Sequence, residues 1–402
     1  MRCLASRRHR VNGAVARSSE PSPGHRTGVI INDAAYVSIV AHGRVDVVAL
    51  GESMVTFLPS RPGRLADVPS FDRAIGGAES NTACVLAAAG HSARWVGRVG
   101  ADGFGEHLLE RIAAYGVDVS SVHRDPDRPT GVYFRTAGDR GTGAHEVAYY
   151  RAGSAASAMS AQNVDLAAAR AGRVLHLSGI TAALSAECRD LMHELTAPRP
   201  GRPLLSFDVN HRPGLWRDAD GPLVLLELAR RADVVFVGED EAEEAWGITG
   251  GPEAIRGALP EPGVLVVKEG AQGATAFEGV TQADADGTPP APGRPTGPRP
   301  TATQAVFEPA LDVDVVATTG AGDAFAAGFL SGTLRNLPLR ARLRYGHLFA
   351  AAALTAPGDL AAPPTRDHAD RLTALDDTAW GRLRLAPGWT QAERATQEAN
   401  TP

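Results

Sequence analysis

From Arg44 onward the chain repeats one pattern: a short apolar run, then a longer stretch with helical spacing. "RVDVVALG" (44–51), "ARWVGRVG" (93–100), "RVLHLSGI" (173–180), "RPLLSFDVN" (202–210) and "ADVVFVGE" (232–239) read as buried strands. "GVLVVKEGAQGATAFEG" (263–279) reads as strand, turn, strand, and "LDVDVVA" (311–317) as one more strand. Between them, "GGAESNTACVLAAAG" (76–90) predicts a small-residue helix closed by Gly90, and "GEHLLERIAAYGV" (105–117) an amphipathic one. Strands alternating with helices predict an α/β fold, a doubly wound, mostly parallel sheet with helices on both faces. "TGVYFRTAG" (130–138) and "HEVAYYRAG" (145–153) break the rule, because apolar and polar residues alternate in them. They predict a small separate sheet, the two strands joined through "DRGTG".

The ends and one interior stretch fall outside this pattern. Residues 1–43 are arginine-rich at the start and poor in acids, which predicts an unstructured extension or a transit-type leader. Residues 283–303 carry six prolines and predict a solvated surface insertion without ladder or helix. Residues 381–402 are polar and predict a frayed tail, leaving 44–380 as the folded domain.

Composition adds exclusions. Apolar content of 44% and charged content of 21% are those of a soluble globular chain. A net charge of −6 argues against a nucleic-acid surface. No apolar run is long enough to span a bilayer. Cys3, Cys84 and Cys188 have neither disulfide-framework nor metal spacing, so the expected compartment is reducing, the cytoplasm.

The densest chemistry is in "TTGAGDAFAAGFL" (318–330). Gly320, Ala321 and Gly322 open a helix, where unpartnered backbone N–H groups and the positive end of the helix dipole suit a phosphoryl group. Asp323 at the edge of that turn is expected to be ionised at neutral pH, because nearby donors favour the charged form. An ionised acid there could take a proton from an attacking hydroxyl, or could merely cap its helix.

"TTGAGDAF" resembles the C-terminal signature of the ribokinase-like (PfkB) carbohydrate kinases, and "GGAESNTACVLAAAG" with "VGRVGADGFG" (96–105) resembles the N-terminal one. The resemblance runs from about residue 44 to 375, including "APGDLAAPPTRD" (356–367). It implies an ATP-dependent sugar kinase with Asp323 as base and the backbone of Gly320, Ala321 and Gly322 stabilising charge on the transferring group. It also implies a small β lid, built from about 54–75 and 130–153, that closes over the sugar and excludes water. A homodimer joined through the lids is a further implication.

Within that family, "LGESMV", "GVYFR", "YYRAGSAAS" and "DVNHRPGLW" are similar to the branch that phosphorylates 2-keto-3-deoxygluconate. Arg151 and Arg212 are then the expected partners of a substrate carboxylate, which a guanidinium matches with paired donors. By the same resemblance Gly76, Gly77 and Asn81 hold sugar hydroxyls, Tyr133 and Tyr149 line the sugar, and Asn210 adds a polar contact or caps its own turn. Lys268, Gly270 and Gly273 resemble the nucleotide-binding turn, with Gly320 and Gly322 shared between ATP binding and catalysis.

Two positions depart from the family. An Asn-x-x-Glu motif tied to Mg²⁺ survives only as Glu241, expected to act through water. Ala317 stands where an Asp associated with a monovalent-cation site is usual, which predicts weak or absent K⁺ activation. A neutral-sugar kinase of the same fold and a sugar sensor that has lost turnover remain open alternatives. "GADGFG" (100–105) also matches a dinucleotide fingerprint, although it follows the second strand instead of opening the fold.

Overall fold

The computed structural model of the protein describes residues 43–136, 146–216, 220–280 and 302–391. In chain order the strands begin with β1 (Val45–Leu50), β2 (Met54–Pro59), β3 (Phe71–Gly76), β4 (Ala93–Val96), β5 (Arg98–Gly100) and β6 (His123–Asp125). Next come β7 (Val132–Arg135), β8 (Val147–Tyr150), β9 (Gly172–Ser178), β10 (Leu204–Asp208) and β11 (Val234–Gly238). The last are β12 (Val264–Lys268), β13 (Gly273–Val280), β14 (Ala302–Pro309), β15 (Asp312–Val313) and β16 (Arg384–Leu385).

Eight strands form the main sheet in the order β14-β13-β12-β11-β10-β9-β1-β4. The six from β12 to β4 are parallel, and β13 and β14 close the far edge antiparallel. The apolar runs are continuous because both faces are covered. Val235 and Val237 enter one core layer, while Val234 and Phe236 of the same strand enter the other. That period of two places a helical layer on each side of the sheet.

A second sheet of four strands, β3-β2-β7-β8, is the small sheet expected from 54–75 and 130–153. Its Phe57 and Phe134 rings stack at 4.6 Å, and Phe71 meets Phe134 edge-on at 5.2 Å. The "DRGTG" connection lies outside the described residues.

Three boundaries change. "LDVDVVA" is strand only at Asp312–Val313, since Val315 and Val316 are exposed and have no core to face. The chain beyond Gly381 is not all frayed: β16 pairs with β15, Leu385 is buried, and Trp389 packs on the core and against His368. Ala302 and Thr303 belong to β14 and not to the insertion, because Ala302 pairs with Val280 and Thr303 with Gly279. Residues 1–42, 281–301 and 392–402, where the remaining expectations for extension, insertion and tail fall, lie outside the described residues.

Candidate active site

Parallel strands point their carboxyl ends the same way, and that edge is where α/β sheets bind ligands. Here Glu52 follows β1, Asp208 ends β10, Asn210 and Arg212 follow it, and Lys268 ends β12. All five line one cleft of about 740 Å³. The same cleft takes Gly76, Gly77 and Asn81 from the start of the helix Ala78–Ala88, and Tyr133, Tyr149 and Arg151 from the small sheet. Gly320, Gly322, Asp323 and Glu241 of the expected set line it too. Ala321 is absent from the wall, and its amide turns back to the Thr318 carbonyl at 3.4 Å.

Two helix starts face each other across the floor. The helix Ala321–Leu334 begins after Gly320, which holds φ +80 and lies so close to the Asp359 backbone carbonyl that a side chain would overlap it. The helix Ala78–Ala88 begins after Gly77, where a side chain would overlap the Glu52 carbonyl oxygen. Asn81 Nδ2 donates to Asp323 Oδ2 at 2.8 Å, and Thr82 Oγ1 donates to the Asp323 carbonyl at 3.3 Å. The two sequence signatures thus meet at the Asp323 carboxylate.

The charge state of Asp323 differs from expectation. Burial pushes its carboxyl up to about 7, with the nearby Asp208 adding to the rise, while the Asn81 hydrogen bond and Lys268 pull it down. Desolvation outweighs the single donor, so the group is poised between acid and base at neutral pH.

Lys268 is not a free surface cation. Its Nζ donates to Asp208 Oδ1 at 3.2 Å and lies 3.8 Å from Glu241 Oε2. It also stands 3.8 Å from where a side chain on Gly322 would begin, which puts the ammonium beside the Gly320–Gly322 turn. Burial opposes its charge, but Asp208 and Glu241 hold its pKa above the ordinary lysine value. Asp208 is pushed up, burial outweighing the pull of Lys268. Glu241 is held down despite burial by Lys268, the Gly238 N–H and Arg212.

On the side of the small sheet, Arg151 pairs with the buried Glu52, which also accepts from Ser154 Oγ at 3.1 Å. Arg151 Nε is buried without a partner, as are Asn81 Oδ1 and Asn210 Oδ1. Three buried polar atoms of cleft residues thus have no hydrogen-bond partner among the described residues. Arg212 is half exposed and sits 3.4 Å from Glu241. Tyr133 Oη donates to Asp359 Oδ2 at 2.5 Å, whereas Tyr149 is 51% exposed at the rim. Asn210 holds φ +41.

Gly270 and Gly273 are placed outside the cleft. Gly273 opens β13 with φ +153 and its space filled by the Glu308 carbonyl, while Gly270 shapes the preceding turn at φ +58. Sequence reasoning missed Glu52, Arg135, Asp208 and Asp359, all in the wall. For Glu52 and Asp208 a signal existed: each is an acid just after or at the end of an apolar run, where a parallel strand meets its ligand edge.

The family model for pfkB family carbohydrate kinases matches residues 44–366. The 2-dehydro-3-deoxygluconokinase of Bacillus subtilis (strain 168) is 34% identical over 330 residues, covering 81% of this chain and 94% of that one. The enzyme of the same name from Thermoproteus tenax is 32% identical over 336 residues, 83% of this chain and 95% of its own. Fructokinase-1 of Zea mays is 29% identical over 74% of this chain and 85% of its own. Among solved structures, the PfkB protein from Polaromonas sp. JS666 superposes with a TM-score of 0.64 at 30% identity, covering 82% of this chain and 100% of that one. Two signatures joined at one carboxylate, and a family match over most of the folded residues, make this chain a member of the pfkB family of carbohydrate kinases.

Proposed function

We propose that the protein transfers the γ-phosphoryl group of ATP to the terminal hydroxyl of 2-keto-3-deoxygluconate or a close sugar acid, with Asp323 as base. The observation that carries this reading is the sharing of one cleft by Asp323, the anion turn, Arg151 and Arg212. A neutral sugar needs no cluster of guanidinium groups beside its hydroxyls; a sugar acid does. Asp323, whose carboxyl burial raises to about 7, takes the proton in its ionised form as the hydroxyl attacks. The glycine-lined turn and Lys268 face the charge that develops on the transferring group. Seating of the small sheet over the sugar excludes water.

A protein of the same fold, the sugar kinase PH1459 from Pyrococcus horikoshii, has been solved in complex with ATP, which supports ATP as the donor. The case for a magnesium ion held by the protein is weaker. No group of three or more His, Cys, Asp or Glu gathers among the described residues, and Lys268 lies between Asp208 and Glu241. Glu241 would reach a phosphate-bound Mg²⁺ only through water, and the ion would supply charge neutralisation for the phosphates.

The test is ADP release over a panel of neutral and acid sugars. The acid sugar should be turned over fastest. Arg151→Ala and Arg212→Ala should lose that activity by about 10–100-fold each, as expected for a lost charged hydrogen bond. Faster turnover of fructose or ribose would sink the substrate assignment. The Arg151–Glu52 pair favours that second reading to this extent: one face of the guanidinium is already engaged.

A further inference from the structure

Besides apolar contacts such as Phe57 against Phe104, two buried ion pairs among the described residues join the small sheet to the body of the protein. They sit at opposite ends of the β7–β8 pair, since Val132 faces Tyr150 at one end and Arg135 faces Val147 at the other. Arg151, just after β8, takes Glu52 and belongs to the sugar side already described. Arg135, the last residue of β7, takes Asp359, and this pair has no role so far.

Arg135 Nη2 donates to Asp359 Oδ1 at 2.7 Å, and Tyr133 Oη of the same strand donates to Asp359 Oδ2 at 2.5 Å. Both carboxylate oxygens of Asp359 are thus held by β7. The two charged side chains are 9% and 2% exposed, so the pair is largely buried although both residues line the cleft. Asp359 lies in the connection after the helix Leu339–Leu354, not in the small sheet. Its backbone meets the anion turn: the space where Gly320 would carry a side chain is filled by the Asp359 carbonyl, carbonyl carbon and Cα. Gly76, at the start of the sugar-side glycine pair, is packed against Tyr133 Oη and Asp359 Oδ2 in the same way.

We infer that Arg135 and Asp359 are positioning residues that tie the seating of the small sheet to the shape of the Gly320–Gly322 turn. Asp359 is the joint. Its carboxylate is gripped by β7 and its main chain supports Gly320 in the left-handed conformation the turn requires. Displacing β7 moves Asp359, and the turn loses its support. The anion site is then fully formed only when the small sheet is seated, which disfavours phosphoryl transfer to water. This inference rests on the reading of that turn as the phosphoryl-transfer site.

The experiment is hydrogen exchange by mass spectrometry on the full chain, comparing wild type, Arg135→Met, Arg135→Lys and the double variant Arg135→Met/Asp359→Asn. The double variant removes both charges, so no buried ion is left unpaired and the fold is kept. Expected is a several-fold rise in exchange for peptides covering 318–323, with β11 unchanged and Arg135→Lys intermediate. The same variants should also phosphorylate sugar more slowly, with Arg135→Lys intermediate, because the turn that holds the transferring group is less often formed. A rise confined to the peptides of the small sheet, or one spread evenly over all peptides, overturns the coupling. Failure of the wild type to phosphorylate any sugar would sink the function proposed above, while the exchange result would still decide the joint.

Discussion

Asp323 is a carboxylate that burial holds near pH 7 against one amide donor and one nearby lysine. For the free enzyme, kcat/KM should fall on the acid side with an apparent pKa of about 7, because protonated Asp323 accepts nothing. Asp323→Asn should lower kcat by about 10²–10⁴-fold. A stability signature accompanies this. The folded pKa lies above the unfolded one, so the folded chain binds this proton more tightly. Stability from this group is full below the unfolded pKa of about 4 and is lost as pH rises through the folded value. Asp323→Asn should therefore raise Tm at pH 8 and leave it unchanged at pH 4. An equal change at both pH values, measured by calorimetry, would show that desolvation of the charge is not what shifts this group. Sequence alone located this acid, its turn and its helix, but not its charge state. Donors next to a turn are visible in a sequence; the packing that strips water from it is not.

The next scale is the element that presents the acid. Gly320 and Gly322 look alike in sequence and differ in the fold. Gly320 is required by the backbone, through its φ of +80 and the Asp359 carbonyl against it. Gly322 is helical, with only Lys268 Nζ at 3.8 Å from a would-be side chain. Gly322→Ala should stabilise the helix by up to about 1 kcal/mol, while its methyl enters the space of the phosphoryl group and lowers kcat. A chemical-denaturation curve and a rate taken on the same sample check this; unchanged kcat would move the phosphoryl site elsewhere. The segment leading into the turn is braced by backbone. Val316 and Ala317 donate to the Leu354 carbonyl at 2.7 and 3.3 Å, at the end of the helix Leu339–Leu354. With that support and no carboxylate at 317, replacing Na⁺ by K⁺ should leave the rate unchanged, and a severalfold rise would contradict it. The continuous apolar runs made β1 and β9–β12 legible, because strands buried on both faces admit little else. "LDVDVVA" is apolar at the same spacing, but only Leu311 and Val313 reach the core while Val315 and Val316 are exposed, and so the pattern misled.

At the scale of the whole molecule, the parallel sheet and the small sheet were legible because each has its own period along the chain. The ties between them were not. Glu52 with Arg151 and Asp359 with Arg135 are 99 and 224 residues apart, and no local pattern links them. The insertion is a different case, since its cost can be argued from where its ends lie. β13 and β14 pair through to Val280 and Ala302, so the chain leaves and re-enters the sheet at adjacent positions. A short turn can span that gap. Replacing residues 281–301 with a four-residue Gly-containing turn cuts the connection about fivefold, which lowers the closure cost by about 1.5 kcal/mol. Over a folded unit this large that is a Tm gain of about 2 °C. Both ends lie on the edge strand β14 and its neighbour β13, and neither lines the cleft, so kcat and the KM values for sugar and ATP should not move. A lower Tm would mean that the insertion packs on the sheet, and a raised KM for ATP would mean that it reaches the nucleotide.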